Sequence, residues 1–162
     1  MWISNFTSKQ PVPHNNELPK WLLYKIQSWS RTNSQLKVLE HAFNFVATNF
    51  YGHRCNILIK INRLFIKDVD LILNTKGFHY CTTMNYLMRV ILINSLLFED
   101  EDIKLKWTNT WYIFPHQYLE VKVGNEILSI DVWNYQFGVK FGDVGSGFKT
   151  MKCSPNIKKA NE

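Results

Sequence analysis

The chain has 162 residues, 46% hydrophobic and 15% aromatic, with seven glycines and a formal charge of +6. That composition excludes whole-chain disorder, and the length suits one domain able to bury a core without covalent staples. Three cysteines, Cys55, Cys81 and Cys153, are odd in number and unevenly spaced, which argues against a disulfide framework and for a reducing, cytoplasmic setting.

In chain order, residues 1–20 hold Pro11, Pro13 and Pro19 among polar residues and read as an extended lead-in. Trp21 to Trp29 sets Leu22, Ile26 and Trp29 at helical spacing with Lys20, Lys25 and Arg31 around them. A basic amphipathic helix can lie on a membrane, but one this short is expected to pack its Trp and Leu face on the core. Asn33 or Ser34 can cap the next helix, which runs to about Phe50 on Leu36, Leu39, Phe43, Val46 and Ala47, with Gly52 expected to end it. Cys55 to Phe65 is ambiguous between strand and irregular structure. Asp68 then starts a short helical turn, Val69 to Asn74, that delivers the chain to a loop at Gly77.

Cys81 to Leu97 is an apolar, glycine-free run that reads as a buried helix. The acids Glu99 to Asp102 follow it. Consecutive acids lack the alternating geometry of a calcium loop and are misplaced at a helix C-terminus, so the helix should stop before them in a solvated loop. Ile103 to Asn109 alternates as a strand. Gly124-Asn125 suits a two-residue hairpin turn between Phe114 to Val123 and Glu126 to Trp133. In that register Val123 faces Glu126, Tyr118 faces Asp131 and His116 faces Trp133, so His116 and Asp131 become diagonal neighbours on one face. Leu119, Val121, Val123, Leu128, Ile130 and Val132 take the other face, which belongs to the core and pins the register.

A histidine held by a carboxylate needs a group to act on, and Cys81 is the expected partner. A thiol at a helix N-terminus feels unpaired backbone N–H groups and the positive end of the helix dipole, which favour the thiolate. The proposed roles are Cys81 as nucleophile, His116 as acid and base, and Asp131 as the group that orients the ring.

These residues resemble the transglutaminase-like superfamily of papain-related cysteine enzymes. The likeness rests on the order Cys, His, Asp: Gly77-Phe-His-Tyr-Cys81 leads a helix, Pro115-His116-Gln-Tyr-Leu-Glu-Val121 lies on one strand and Leu128-Ser-Ile-Asp131-Val-Trp133 on the next. It covers roughly residues 36–133 and implies an α+β fold: N-terminal helices, a central helix carrying Cys81, and an antiparallel sheet carrying His116 and Asp131. The domain is expected over residues 21–148, with 149–162 a frayed tail bearing Cys153. The implied chemistry is a thioester acyl-enzyme formed from a protein or peptide amide, without a cofactor, the oxyanion held partly by the N–H of Cys81. His79 stands where many members have glycine. Small single-domain relatives imply hydrolysis more than cross-linking. Trp133, Tyr118 and His79 are expected beside the substrate, and Trp107, Trp111 and Tyr112 complete an aromatic cluster that more readily fills core.

Other readings carry less of the sequence. Arylamine N-acetyltransferases share the Cys-His-Asp order and an asparagine four residues after the cysteine, here Asn85. The Arg-Gly-Gly that tends to precede their cysteine is missing. A non-catalytic, zinc-stabilised domain would use His53, Cys55, His79 and Cys81, but one-residue gaps are short for a zinc knuckle and His116 and Asp131 stay unexplained. The lysines and arginines are scattered, so no nucleic-acid partner is expected. No cleavable leader opens the sequence, and Asn or Arg breaks each apolar run before it could span a bilayer. Phe141 to Gly147 is glycine-rich, lacks the ending of a phosphate loop, and reads as a flexible loop.

Overall fold

The computed structural model describes residues 10–53, 60–66, 68–110 and 114–146. Helices come first in the chain and an antiparallel sheet second, an α+β arrangement. Helix α1 (Lys20–Ser30) buries Leu22 and Ile26, so its apolar stripe does face the core, while Trp21 and Tyr24 stay exposed. Helix α2 (Gln35–Asn49) is capped by the Ser34 hydroxyl, which accepts from the Lys37 N–H, and buries Val38, Leu39, Ala42, Phe43 and Val46 at three- and four-residue steps. Gly52 does not end this helix. The chain leaves it at Phe50 to form strand β1 (Phe50–Tyr51), which pairs in parallel with β2 (Gly77–Phe78). Between them, helix α3 (Val69–Asn74) is capped by Asp68, whose carboxylate accepts from Leu71 N at 2.7 Å. Cys55, Trp111, Tyr112 and the expected tail with Cys153 lie outside the described residues.

Helix α4 (Cys81–Asn94) is the central element, with twelve of its 14 residues buried. Buried on nearly every side, the helix is mostly apolar, and its buried Asn85, Arg89 and Asn94 find hydrogen-bond partners within the protein. It stops at Asn94, three residues before Leu97, because Leu96 takes a left-handed conformation with φ of 62°. The acids that follow form a short 3-10 turn, Asp100–Asp102, and Asp100 turns back to pair with the buried Arg89 at 2.5 Å. Residues 10–13 of the expected lead-in are strapped across α4 by side chains, Arg89, Tyr86 and Asn94 donating to the carbonyls of Gln10, Pro11 and Pro13. Asn15–Glu17, however, form a 3-10 turn and not extended chain, and Lys20 already opens α1.

The sheet runs β3 (Ile103–Thr110), β4 (Phe114–Val123) and β5 (Glu126–Ile130), antiparallel throughout. The hairpin register is the expected one, Val123 against Glu126 and Leu119 against Ile130, with Gly124 supplying the positive φ of 59° the turn requires. Leu119, Val121, Ile130 and Val132 are fully buried on the core side. The second strand is shorter than the alternation predicts. It ends at Ile130, and Asp131 caps helix α5 (Val132–Tyr135), so Trp133 is not the cross-strand partner of His116; that place belongs to Thr108 on β3. Residues 141–146 return to the sheet through a bridge between Gly142 and Ser129, and are no free loop. Among the described residues no helix is long and apolar enough to cross a membrane.

Candidate active site

His116 on β4 is 3% exposed, and its Nε2 meets Asp131 Oδ1 at 2.8 Å. The hairpin register brings them near each other, and the chain's turn out of β5 at Asp131 completes the approach. Asp131 is itself buried and makes four hydrogen bonds. Oδ1 also accepts from Asn134 N at 3.1 Å, and Oδ2 accepts from Asn134 Nδ2 at 2.8 Å and from Gly145 N at 2.9 Å. A carboxylate has about four acceptor positions, so this one is saturated in its ionised form.

The electrostatics follow from that cradle. Burial works against charge on His116, but the Asp131 carboxylate beside it and the hydrogen bond between them prevail, with a smaller contribution from Cys81, and the imidazole is pushed up to about 10. Burial alone would raise Asp131. The His116 charge and the donors from Asn134 and Gly145 outweigh it and hold the carboxyl below its usual range.

Cys81 is the first residue of α4, half-buried, and near enough to His116 to favour the charged imidazolium. With Nε2 committed to Asp131, Nδ1 is the ring nitrogen left for the thiol. The N–H groups of the first turn have no partners within the helix, since the ladder begins with Met84 N to Tyr80 O. They are donors available to an anion formed at the sulfur's substrate.

Trp133 does touch His116, but from α5: the two rings lie 5.6 Å apart at 45°. It is only 6% exposed, and its Nε1 donates to the His79 carbonyl at 3.0 Å. A Cβ on Gly52 would stand 2.2 Å from its ring, so that glycine is required by close approach. Trp133 is thus a wedge that ties the loop before Cys81 to His116, and not an open groove wall. His79, expected at the substrate, turns inward. It is 1% exposed, its ring meets Phe50 edge-on, and its Nε2 donates to the Thr75 carbonyl at 2.6 Å. Burial lowers its pKa, so it is a neutral brace of the loop. Tyr118 stays half-exposed on β4, two residues from His116, opposite Lys106. Trp107 is 39% exposed and fills no core.

Asn85 is buried and donates to the Gln117 carbonyl at 2.9 Å, which joins α4 to β4. Of the four residues of the zinc reading, His79 gives its Nε2 to the Thr75 carbonyl, and Cys55 lies outside the described residues. Among the described residues no His, Cys, Asp and Glu side chains gather as a metal site. A cavity of about 540 Å³ between Arg89, Asp100 and residues 103–106 is lined by none of Cys81, His116 and Asp131.

Sequence reasoning missed Asn134 and Gly145. The Asp-x-x-Asn spacing at Asp131 is a readable capping signal, and the glycines of residues 142–147 were a sign of close packing as much as of a loose loop. Compared with known protein families, curated proteins and solved structures, the chain matches none.

Proposed function

We propose that this chain is a transglutaminase-like cysteine enzyme that cleaves or transfers amide bonds of protein or peptide substrates through a thioester. One observation carries the proposal: a buried imidazole bonded to a carboxylate through Nε2, with the thiol of a helix N-terminus near enough to act on its charge. The order of elements, helices first, then the thiol-bearing helix, then an antiparallel sheet with the base, supports a papain-related core.

In this mechanism the imidazolium of His116 stabilises negative charge on the Cys81 sulfur, which attacks the amide carbon. The tetrahedral oxyanion is held by N–H groups of the first turn of α4. Collapse breaks the C–N bond, the leaving amine takes the His116 proton, and the acyl group remains as a thioester. A water molecule, or an amine, then gives its proton to His116 as it attacks the thioester. The second collapse releases acid, or a new amide, and restores the thiolate and imidazolium. Asp131 keeps the ring oriented throughout. Hydrolysis is the preferred outcome by resemblance, in a reducing cytoplasmic setting.

The test is competitive labelling with iodoacetamide at neutral pH, read by mass spectrometry at each cysteine, with turnover of fluorogenic peptide amides alongside. Cys81 should react fastest of the three cysteines and its labelling should abolish turnover. Labelling of Cys81 no faster than Cys55, with no turnover, would sink the enzyme reading.

A further inference from the structure

The residues after the hairpin take no part in the catalytic scheme above, yet two of them hold its acid. Asn134 is wholly buried and donates to both carboxylate oxygens of Asp131, through its backbone N–H to Oδ1 and its amide to Oδ2. Gly145, from the strand-bridging segment 141–146, donates its own N–H to Oδ2. The two are interlocked, because a Cβ built on Gly145 would stand 2.5 Å from Asn134 Nδ2 and 2.8 Å from its Cγ. Real Cβ contacts do not come so close, so any side chain at 145 must push the Asn134 amide away from the carboxylate. His116 supplies just one of the four hydrogen bonds that fix Asp131.

We infer that Asn134 is a positioning residue for the Cys81-His116-Asp131 site, that its amide fixes the plane of the Asp131 carboxylate, and that Gly145 is glycine because this amide must fit there. The inference rests on the catalytic reading for its kinetics but not for its geometry. A carboxylate held by His116 alone can rotate about its Cα–Cβ and Cβ–Cγ bonds. Held by Asn134 and Gly145 as well, it presents Oδ1 to the ring in one orientation, and the ring in turn presents its other nitrogen to the sulfur. The titratable groups acting on His116 are Asp131 at the end of β5 and Cys81 at the head of α4; Trp133, the ring packed on it from α5, carries no charge.

The experiment compares wild type, N134A, G145A and the N134A/G145A double variant. Two readouts are used: kcat and KM on a fluorogenic peptide amide across pH, and the His116 titration followed by NMR, which needs no turnover. N134A should lower kcat on the order of tenfold to a hundredfold with KM nearly unchanged. It should also move the alkaline limb and the His116 titration toward neutral pH, because a loosened carboxylate stabilises the imidazolium less. G145A should resemble N134A, and the double variant should be no worse than the poorer single one, since both act on the same amide. A double variant that regains wild-type kinetics would show that Gly145 merely makes room and would overturn the inference. So would a folded N134A, judged by circular dichroism and melting, with an unmoved His116 titration. A wild type without turnover whose titration still shifts in N134A would remove the catalytic reading and leave the positioning role standing.

Discussion

The two sides of the His116 ring are built on opposite principles. On the acid side every hydrogen-bonding position of Asp131 is filled, and its partner Asn134 is wholly buried. On the thiol side Cys81 is half-exposed, and the buried atoms His79 Nδ1, Thr82 Oγ1 and Thr83 Oγ1 have no hydrogen-bond partner among the described residues. A helical threonine ordinarily bonds back to the carbonyl four residues earlier. For Thr83 that carbonyl, His79, already accepts from Trp133, and for Thr82 the carbonyl of Phe78 accepts from Arg63 at 2.8 Å. Each orphaned group costs roughly 1–3 kcal/mol, a cost proteins tolerate chiefly where function demands it. The lesson is a division of labour: fixed charge behind the ring, spare polar capacity around the thiol.

Breaking the thiol side should have the largest effect on activity. C81A is expected to lower amide turnover by about five to six orders of magnitude and to leave the melting temperature close to wild type, because the side chain is small and half-exposed. A residual rate within tenfold of wild type would show that the sulfur is no nucleophile.

Breaking the acid side should cost both activity and stability. D131N should lower kcat about 10⁴-fold. D131A strands the buried His116 and the donors of Asn134 and Gly145, and should destabilise by roughly 3–5 kcal/mol in urea unfolding. If D131A unfolds no earlier than C81A, the saturated cradle is not a source of stability.

Titration sharpens the contrast. His116 is raised from 6.5 to about 10, so its contribution to stability is complete below 6.5 and is lost as pH rises through about 10. Asp131 is depressed from 3.8, so its contribution is complete above 3.8 and is lost as pH falls toward its lower folded value. Melting temperature should therefore be highest between about 4 and 6.5 for this pair and fall on both flanks. Activity should persist into alkaline pH and fall through about 10, where His116 can no longer protonate the leaving amine. A kcat limb near 7 would refute the charge-paired histidine.

Smaller effects probe the joint between the sides and a control outside both. G52A forces a methyl against the Trp133 ring and should destabilise by roughly 1–3 kcal/mol, with some loss of kcat through His116. D68A removes the cap of α3 and should cost about 1 kcal/mol, with kcat unchanged. Equal kcat losses in the two would mean that Trp133 does not transmit strain to the site.

Much of this arrangement was legible beforehand where local rules dominate. Asp68 capping Val69–Asn74 and the turn at Gly124-Asn125 came out as read, because capping and tight turns depend on few neighbouring residues. The turn out of β5 at Asp131 closed the contact between His116 and Asp131, but their nearness followed from hairpin register. The helix end at Asn94 did not, since a leucine in a left-handed conformation leaves no compositional trace. Nor did the inward turn of His79, whose ring position is fixed by Thr75 and Phe50 together.

The sequence by itself determined which residues share a strand face, where the short helices begin and that a thiol heads the central helix, for these follow from side-chain period and local hydrogen bonding. Only the tertiary structure decided that Asp131 leaves its strand to cap a turn, that Trp133 wedges between Gly52 and His116, and that Gly145 closes on the carboxylate. Those contacts join segments whose approach depends on how the helices pack on the sheet, and packing is a property of shapes in space that no spacing along the chain encodes.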